Sequence, residues 1–128
     1  EPFEANLLRL PGIPYTRDEA GNIRNGFELH IVNKTNSTTR FQITPVQDPA
    51  SPGSLNYILP MSTVDIEPLG SRRVPFFVTM DEKQFTKERP IIVRIDASHA
   101  TSSTTSTPAG SAKTVNGRFL GSPHHEAH

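Results

Sequence analysis

No cysteine occurs anywhere in the chain, which excludes disulfides, thiolate nucleophiles, cysteine-type zinc sites and cysteine-ligated iron–sulfur clusters within it. The redox compartment therefore leaves no mark on the sequence. No apolar run approaches the ~20 residues that a membrane-spanning helix needs, and no stretch is laid out like a signal peptide. The chain starts at Glu1 without a methionine, as expected for a fragment or processed product whose targeting information lay upstream. An excess of one charge is lacking too: 13 basic and 13 acidic residues cancel, with a pI near 7.2. That balance gives no electrostatic footprint for nucleic acid or an anionic membrane. Enzyme signatures are also missing: there is no G-x-S-x-G, Walker loop, H-E-x-x-H or dinucleotide fingerprint.

What is present is turn chemistry and alternation. Twelve prolines and eight glycines argue against long helices and for short elements joined by turns. The stretch GNIRNGFELHIVNKTN, residues 21–36, has Gly and Asn at both ends and an alternating middle. Extended, it turns Phe27, Leu29 and Ile31 to one side and Glu28, His30 and Val32 to the other. Pro11-Gly12 separates two short extended pieces over residues 6–17, where Pro14 suits an edge strand. Alternation returns at Phe41 and Ile43, at Val64 and Ile66, at Val74, Phe76 and Val78, and at Ile91, Val93 and Ile95. DPASPGS, residues 48–54, is a loop, and DEKQF, residues 81–85, a connecting turn with room for one helical turn. Together these predict an all-β, immunoglobulin-like β-sandwich of about seven strands and roughly 100 residues. Each inward side chain contributes roughly 1.5–3 kcal/mol on full burial. With no intersheet disulfide, packing alone is expected to hold the two sheets.

Hydrophobic residues make up 34% and mean hydropathy is −0.45, so part of the chain is expected outside the core. After Ser98 the composition turns to Ser, Thr and Ala, too poor in large apolar groups to order itself. The expected division is a sandwich domain over 1–98 and a flexible, His-ending tail over 99–128. Within that tail, Val115, Phe119 and Leu120 flank an Asn-Gly turn, a cluster suited to a small hairpin or to docking on the sandwich.

Several residues are candidates for chemistry. His124, His125 and His128 are candidate ligands for Cu²⁺, Ni²⁺ or Zn²⁺, with Glu126 as an added oxygen. The bland alternative is an ordinary terminus or the remainder of a purification tag. Met61 and Met80 are candidate helpers of a copper(I) site, or core filler. Asp96, Ser98 and His99 lie close in sequence, but a triad is a spatial arrangement that adjacency does not make. His30 reads as a surface histidine paired across strands. Asn33-Lys-Thr and Asn36-Ser-Thr are formal glycosylation sequons, or simply a polar turn. Arg72 and Arg73 read as a solvated strand start.

The segment LLRLPGIPYTRDEAGNIRNGFELHIVNKT resembles the start of the C-terminal immunoglobulin-like domain of the FixG/CcoG family of cytochrome c oxidase accessory proteins. The resemblance is carried by Arg9, Tyr15, Arg17, Gly21, Ile23, Asn25, Phe27 and Asn33, and extends over about residues 5–98. Thr16 separates Tyr15 from Arg17, and Phe27 stands where the family more often has tyrosine. The resemblance implies a periplasmic module of a membrane-embedded polyferredoxin that assists assembly of cbb3-type oxidase, with copper reduction attributed to the parent. It implies 4Fe-4S clusters in another part of that parent, protein partners in oxidase assembly, and no catalytic residue here. Asn25 reads as structural, its side chain bonding neighbouring backbone. The expected function is thus a non-catalytic interaction module with a link to copper handling. The alternative is a generic adhesion or carrier module of a secreted multidomain protein.

Overall fold

The computed structural model describes residues 2–47, 55–99 and 111–121. Nine strands are present among the described residues: β1 (Phe3–Arg9), β2 (Thr16–Arg17), β3 (Asn22–Asn33), β4 (Thr39–Val46), β5 (Asn56–Ile58), β6 (Thr63–Ile66), β7 (Ser71–Asp81), β8 (Arg89–His99) and β9 (Ala112–Phe119). The first sheet runs β1-β3-β7-β5, with the short β2 continuing beside β3. The second runs β6-β4-β8-β9. All pairings are antiparallel. Two antiparallel sheets face to face make the immunoglobulin-like sandwich that the alternation predicts. A 3-10 turn, Glu82–Gln84, joins β7 to β8, and the Asp81 carboxylate caps it by accepting from Lys83 N.

The core follows the predicted faces. Phe27, Leu29, Ile31, Phe41, Ile43, Val64, Ile66, Val74, Phe76, Val78, Ile91, Val93 and Ile95 are all buried. Phe3, Ile23, Met80, Phe85 and Phe119 join them. Phe3 meets Phe41 edge-on at 5.1 Å, and Phe27 stacks on Phe76 at 5.5 Å, arrangements that add to simple burial.

Prolines interrupt the strands less than expected. Pro45 sits inside β4 opposite Val93, where β6 has already ended at Gln42. Its missing N–H therefore falls on an open edge and no ladder bond is lost. Pro14 is not in a strand at all: it lies in the β1–β2 loop, its carbonyl accepting from Arg9 Nη1 at 2.9 Å.

Two expectations are corrected. The boundary at residue 98 is wrong, because residues 112–119 pair with β8 along eight residues and Phe119 is wholly buried. Val115 and Phe119 alternate with the exposed Thr114, Asn116 and Arg118, and the Ser/Thr-rich stretch before the strand masks them. Nor does packing alone join the sheets. Strand β3 carries a buried asparagine near each end, and each one bonds across to the other sheet.

Asn33 is the first of these. Its Nδ2 donates to the carbonyls of Ser37, Ile66 and Glu67 at 3.0–3.1 Å. Its Oδ1 accepts from the Thr35 N–H and hydroxyl at 3.0 and 2.8 Å. Asn33 thereby ties the end of β3 to the end of β6. A buried amide must be satisfied on both sides, and this one is.

Candidate interaction surface

Asn25 is the second staple, and it gathers two further residues that carry the family resemblance, Arg9 and Phe27. Its Nδ2 donates to Leu120 O at 2.9 Å, and its Oδ1 accepts from Leu120 N at 2.8 Å. The side chain thus stands in for a backbone partner at the end of β9. Arg9 Nη2 donates to Asn25 Oδ1 and to Arg118 O, both at 2.7 Å. The Arg9 guanidinium also lies 5.0 Å from the centre of the Phe27 ring, a cation–π contact. Partial burial lowers its pKa from the ordinary arginine value, though an arginine so held stays charged. Nearby, Arg17 lies 5.8 Å from the Tyr15 ring and pairs with Glu82 at 3.1 Å. Arg9, Asn25 and Phe27 form one knot, which makes them structural residues. Sequence reasoning reached the role of Asn25 but not its partners, since Leu120 is 95 residues away.

The sequence-predicted site residues are scattered. His30 is on the outer face of the first sheet, opposite Asn6 on β1 and Arg73 on β7. Met80 is in the core, whereas Met61 is exposed. Asp96 is paired with Arg94 at 3.1 Å, and Ser98 is exposed further along the same strand. Asn33 is sealed in, so of the two sequons only Asn36 reaches solvent in the folded chain. His124, His125 and His128 lie outside the described residues. Among the described residues no three His, Cys, Asp or Glu side chains group to hold a metal. With no cysteine, this chain does not fit an iron–sulfur cluster ligated in the usual way.

The outer face of the first sheet carries an apolar surface that sequence alternation alone did not reveal. Leu8 and Ile58 are exposed there, and Ile13 projects from the β1–β2 loop at 73% exposure. Leu10, Pro11, Ile13, Tyr15, Arg24, Gly26 and Phe77 line a shallow depression of about 280 Å³. The loop is held over the sheet by Arg9 to Pro14 O and by Leu10 N to Gly26 O at 3.0 Å. Gly26 permits this, because a Cβ there would come within 2.8 Å of Leu10 Cδ1. Arg24 lies over the Phe77 ring at 4.1 Å. A second hollow of about 400 Å³, lined by Pro90, Ile92, Asn116, Gly117 and Arg118, marks the outer face of the other sheet. Neither hollow gathers a nucleophile with a neighbouring base.

Fold and surface together define the class: an immunoglobulin-like sandwich module with an exposed apolar face. The family profile described as the Ig-like fold at the C-terminus of FixG matches residues 1–121. The chain belongs to that family, whose description assigns FixG itself provisionally to the oxidoreductases. Among solved structures it is similar to a FixG-related protein from Vibrio parahaemolyticus, with a TM-score of 0.59 and 14% identity over 94% of this chain and 96% of that one. At that identity the likeness speaks to the fold. No curated protein matches.

Proposed function

We propose that the chain is a non-catalytic periplasmic interaction module of a membrane-bound FixG-type iron–sulfur protein that serves assembly of cbb3-type cytochrome c oxidase. One observation carries the interaction role: the apolar outer face of the first sheet, with Ile13 held out in water by an anchored loop. Contiguous exposed apolar patches mark contact sites, and Leu10, Ile13 and Phe77 line one hollow here. Family membership supports a FixG-type parent, and the periplasmic oxidase-assembly setting follows from the resemblance to that family. Within this reading the parent's other domains carry the clusters and the electron transfer, and this domain contacts an assembly partner. Copper enters through His124, His125 and His128 as candidate ligands.

The test is made in the full-length parent. Ile13→Ser combined with Leu8→Ser is expected to lower the amount of assembled, active oxidase while the parent accumulates normally. Unchanged oxidase after deletion of residues 1–121 would refute the reading. The copper part is read separately from amide spectra of this chain with Cu²⁺ and then Cu⁺. Stoichiometric shifts confined to the three histidines support it, and a silent spectrum removes it.

A further inference from the structure

We propose that the depression on the outer face of the first sheet receives a protein segment presenting a carboxylate beside an apolar side chain. The proposal rests on the interaction-module reading and names the chemistry of the partner.

The apolar half follows from the walls. Leu10, Ile13 and Phe77 surround a hollow of about 280 Å³, smaller than the roughly 300–1,000 Å³ typical of small-molecule pockets. Its size suits one or two side chains of a docking peptide.

The carboxylate half follows from Arg24. Five other arginines, Arg17, Arg40, Arg73, Arg94 and Arg118, have a carboxylate oxygen within 3.1 Å. Arg24 has instead the Phe77 ring, and no described carboxylate hydrogen-bonds to it. Asp18 acts on it only through space. The Asp18 oxygens accept from Ala20 N, Asn22 N and the Asn22 side chain. A planar guanidinium stacked on a ring keeps its fork of N–H donors available for bidentate binding of a carboxylate. On the same outer face Glu28 is already held by Arg73 and Glu4 by Lys34, each at 2.9 Å. An acidic segment therefore meets a guanidinium with no carboxylate hydrogen bond, whereas a basic segment meets acids already held by Arg73 and Lys34 or, at Asp18, by N–H groups of Ala20 and Asn22. This charge complementarity selects the partner and sets its orientation.

The test is a titration of the ¹⁵N-labelled chain with three capped pentapeptides, Gly-Glu-Leu-Glu-Gly and its Gln and Lys analogues. The acidic peptide should shift the amides of Leu10, Arg24, Gly26 and Phe77 saturably, and bind at least threefold tighter than the Gln analogue. Its advantage should shrink in high salt. Arg24→Gln should abolish the preference while leaving the spectrum dispersed, since Arg24 is not part of the core. Equal binding of all three peptides overturns the carboxylate while leaving the docking reading intact. No peptide response at this face, with a response to phosphatidylglycerol vesicles instead, overturns the proposal in favour of a lipid surface. No response to either probe overturns it as well. The oxidase measurement on the parent then shows separately whether the module reading survives.

Discussion

Asn25 and Leu120 exchange two hydrogen bonds, Nδ2 to O at 2.9 Å and N to Oδ1 at 2.8 Å, across 95 residues of sequence. Replacing Asn25 with alanine removes both and deprives Arg9 of one acceptor. Groups left unsatisfied in a closed site cost about 1–3 kcal/mol each, although Arg9 retains the carbonyls of Pro14 and Arg118. Asn25→Ala is expected to lose about 3 kcal/mol of stability, read as a lowered urea midpoint at unchanged slope. A midpoint shift equivalent to less than about 1 kcal/mol would show that the staple is dispensable.

Truncation after Ser98 removes β9, and with it Phe119 and the backbone partners of Asn25. One long edge of β8 and the inner face of β3 are then uncovered. The 1–98 fragment is expected not to fold, giving a collapsed amide spectrum and no cooperative melting. A well-dispersed spectrum from that fragment would restore the shorter domain.

Leu69 is the one non-glycine with positive φ among the described residues, at 61°, and it is 70% exposed. A left-handed leucine costs about 1–2 kcal/mol, and little packing offsets it here. Asparagine tolerates that conformation, so Leu69→Asn is expected to stabilise the domain by about 0.5–1 kcal/mol. The measurement is the thermal midpoint, which should rise by a few degrees. A lower midpoint would mean that Leu69 makes a contact worth more than its strain.

Asp65 is held below the usual carboxylate range first by its hydrogen bond from Arg40, and Asp18 by the backbone N–H of Asn22. A depressed folded pKa means that the unfolded chain binds more protons as pH falls. The contribution is complete above the unfolded value, about 3.9, and fades as pH drops through the folded value. Stability is therefore expected to be flat near neutrality with respect to these groups and to fall below about pH 4. Asp65→Asn with Asp18→Asn should make that fall shallower. An equal acid slope in the double variant would assign it to other carboxylates.

The faces of β3, β4, β6, β7 and β8 were legible because a period of two over several residues allows few other readings. Phe3 and Ile23 could have been added by extending the same alternation outward. Strand β9 was hidden because its inward residues are Lys113, Val115, Gly117 and Phe119, two of them not apolar, after a long polar stretch. Gly117 is inward because Leu7 comes within 2.9 Å of where a Cβ would stand, a long-range fact. The two staples were half legible: an asparagine at each end of a strand signals local bonding, but carbonyls of distant strands leave no local pattern. The apolar face was missed for a similar reason. Leu10 and Ile13 lie in the β1–β2 loop and Phe77 on β7, and only the anchoring of that loop by Arg9 brings them together.

The Asn25–Leu120 clasp also sets a timetable. A chain made from its N-terminus has β3 available well before Leu120, the residue its Asn25 clasps, which follows 95 residues later. Until then Ile23, Phe27 and Phe85 lack the cover that Gly117, Phe119 and Gly121 give them. Strands joined across most of a chain's length fold slowly, in milliseconds to seconds rather than microseconds. A nascent copy of this domain therefore spends its emergence open along one side, dependent on chaperones or sheer speed to stay out of aggregates.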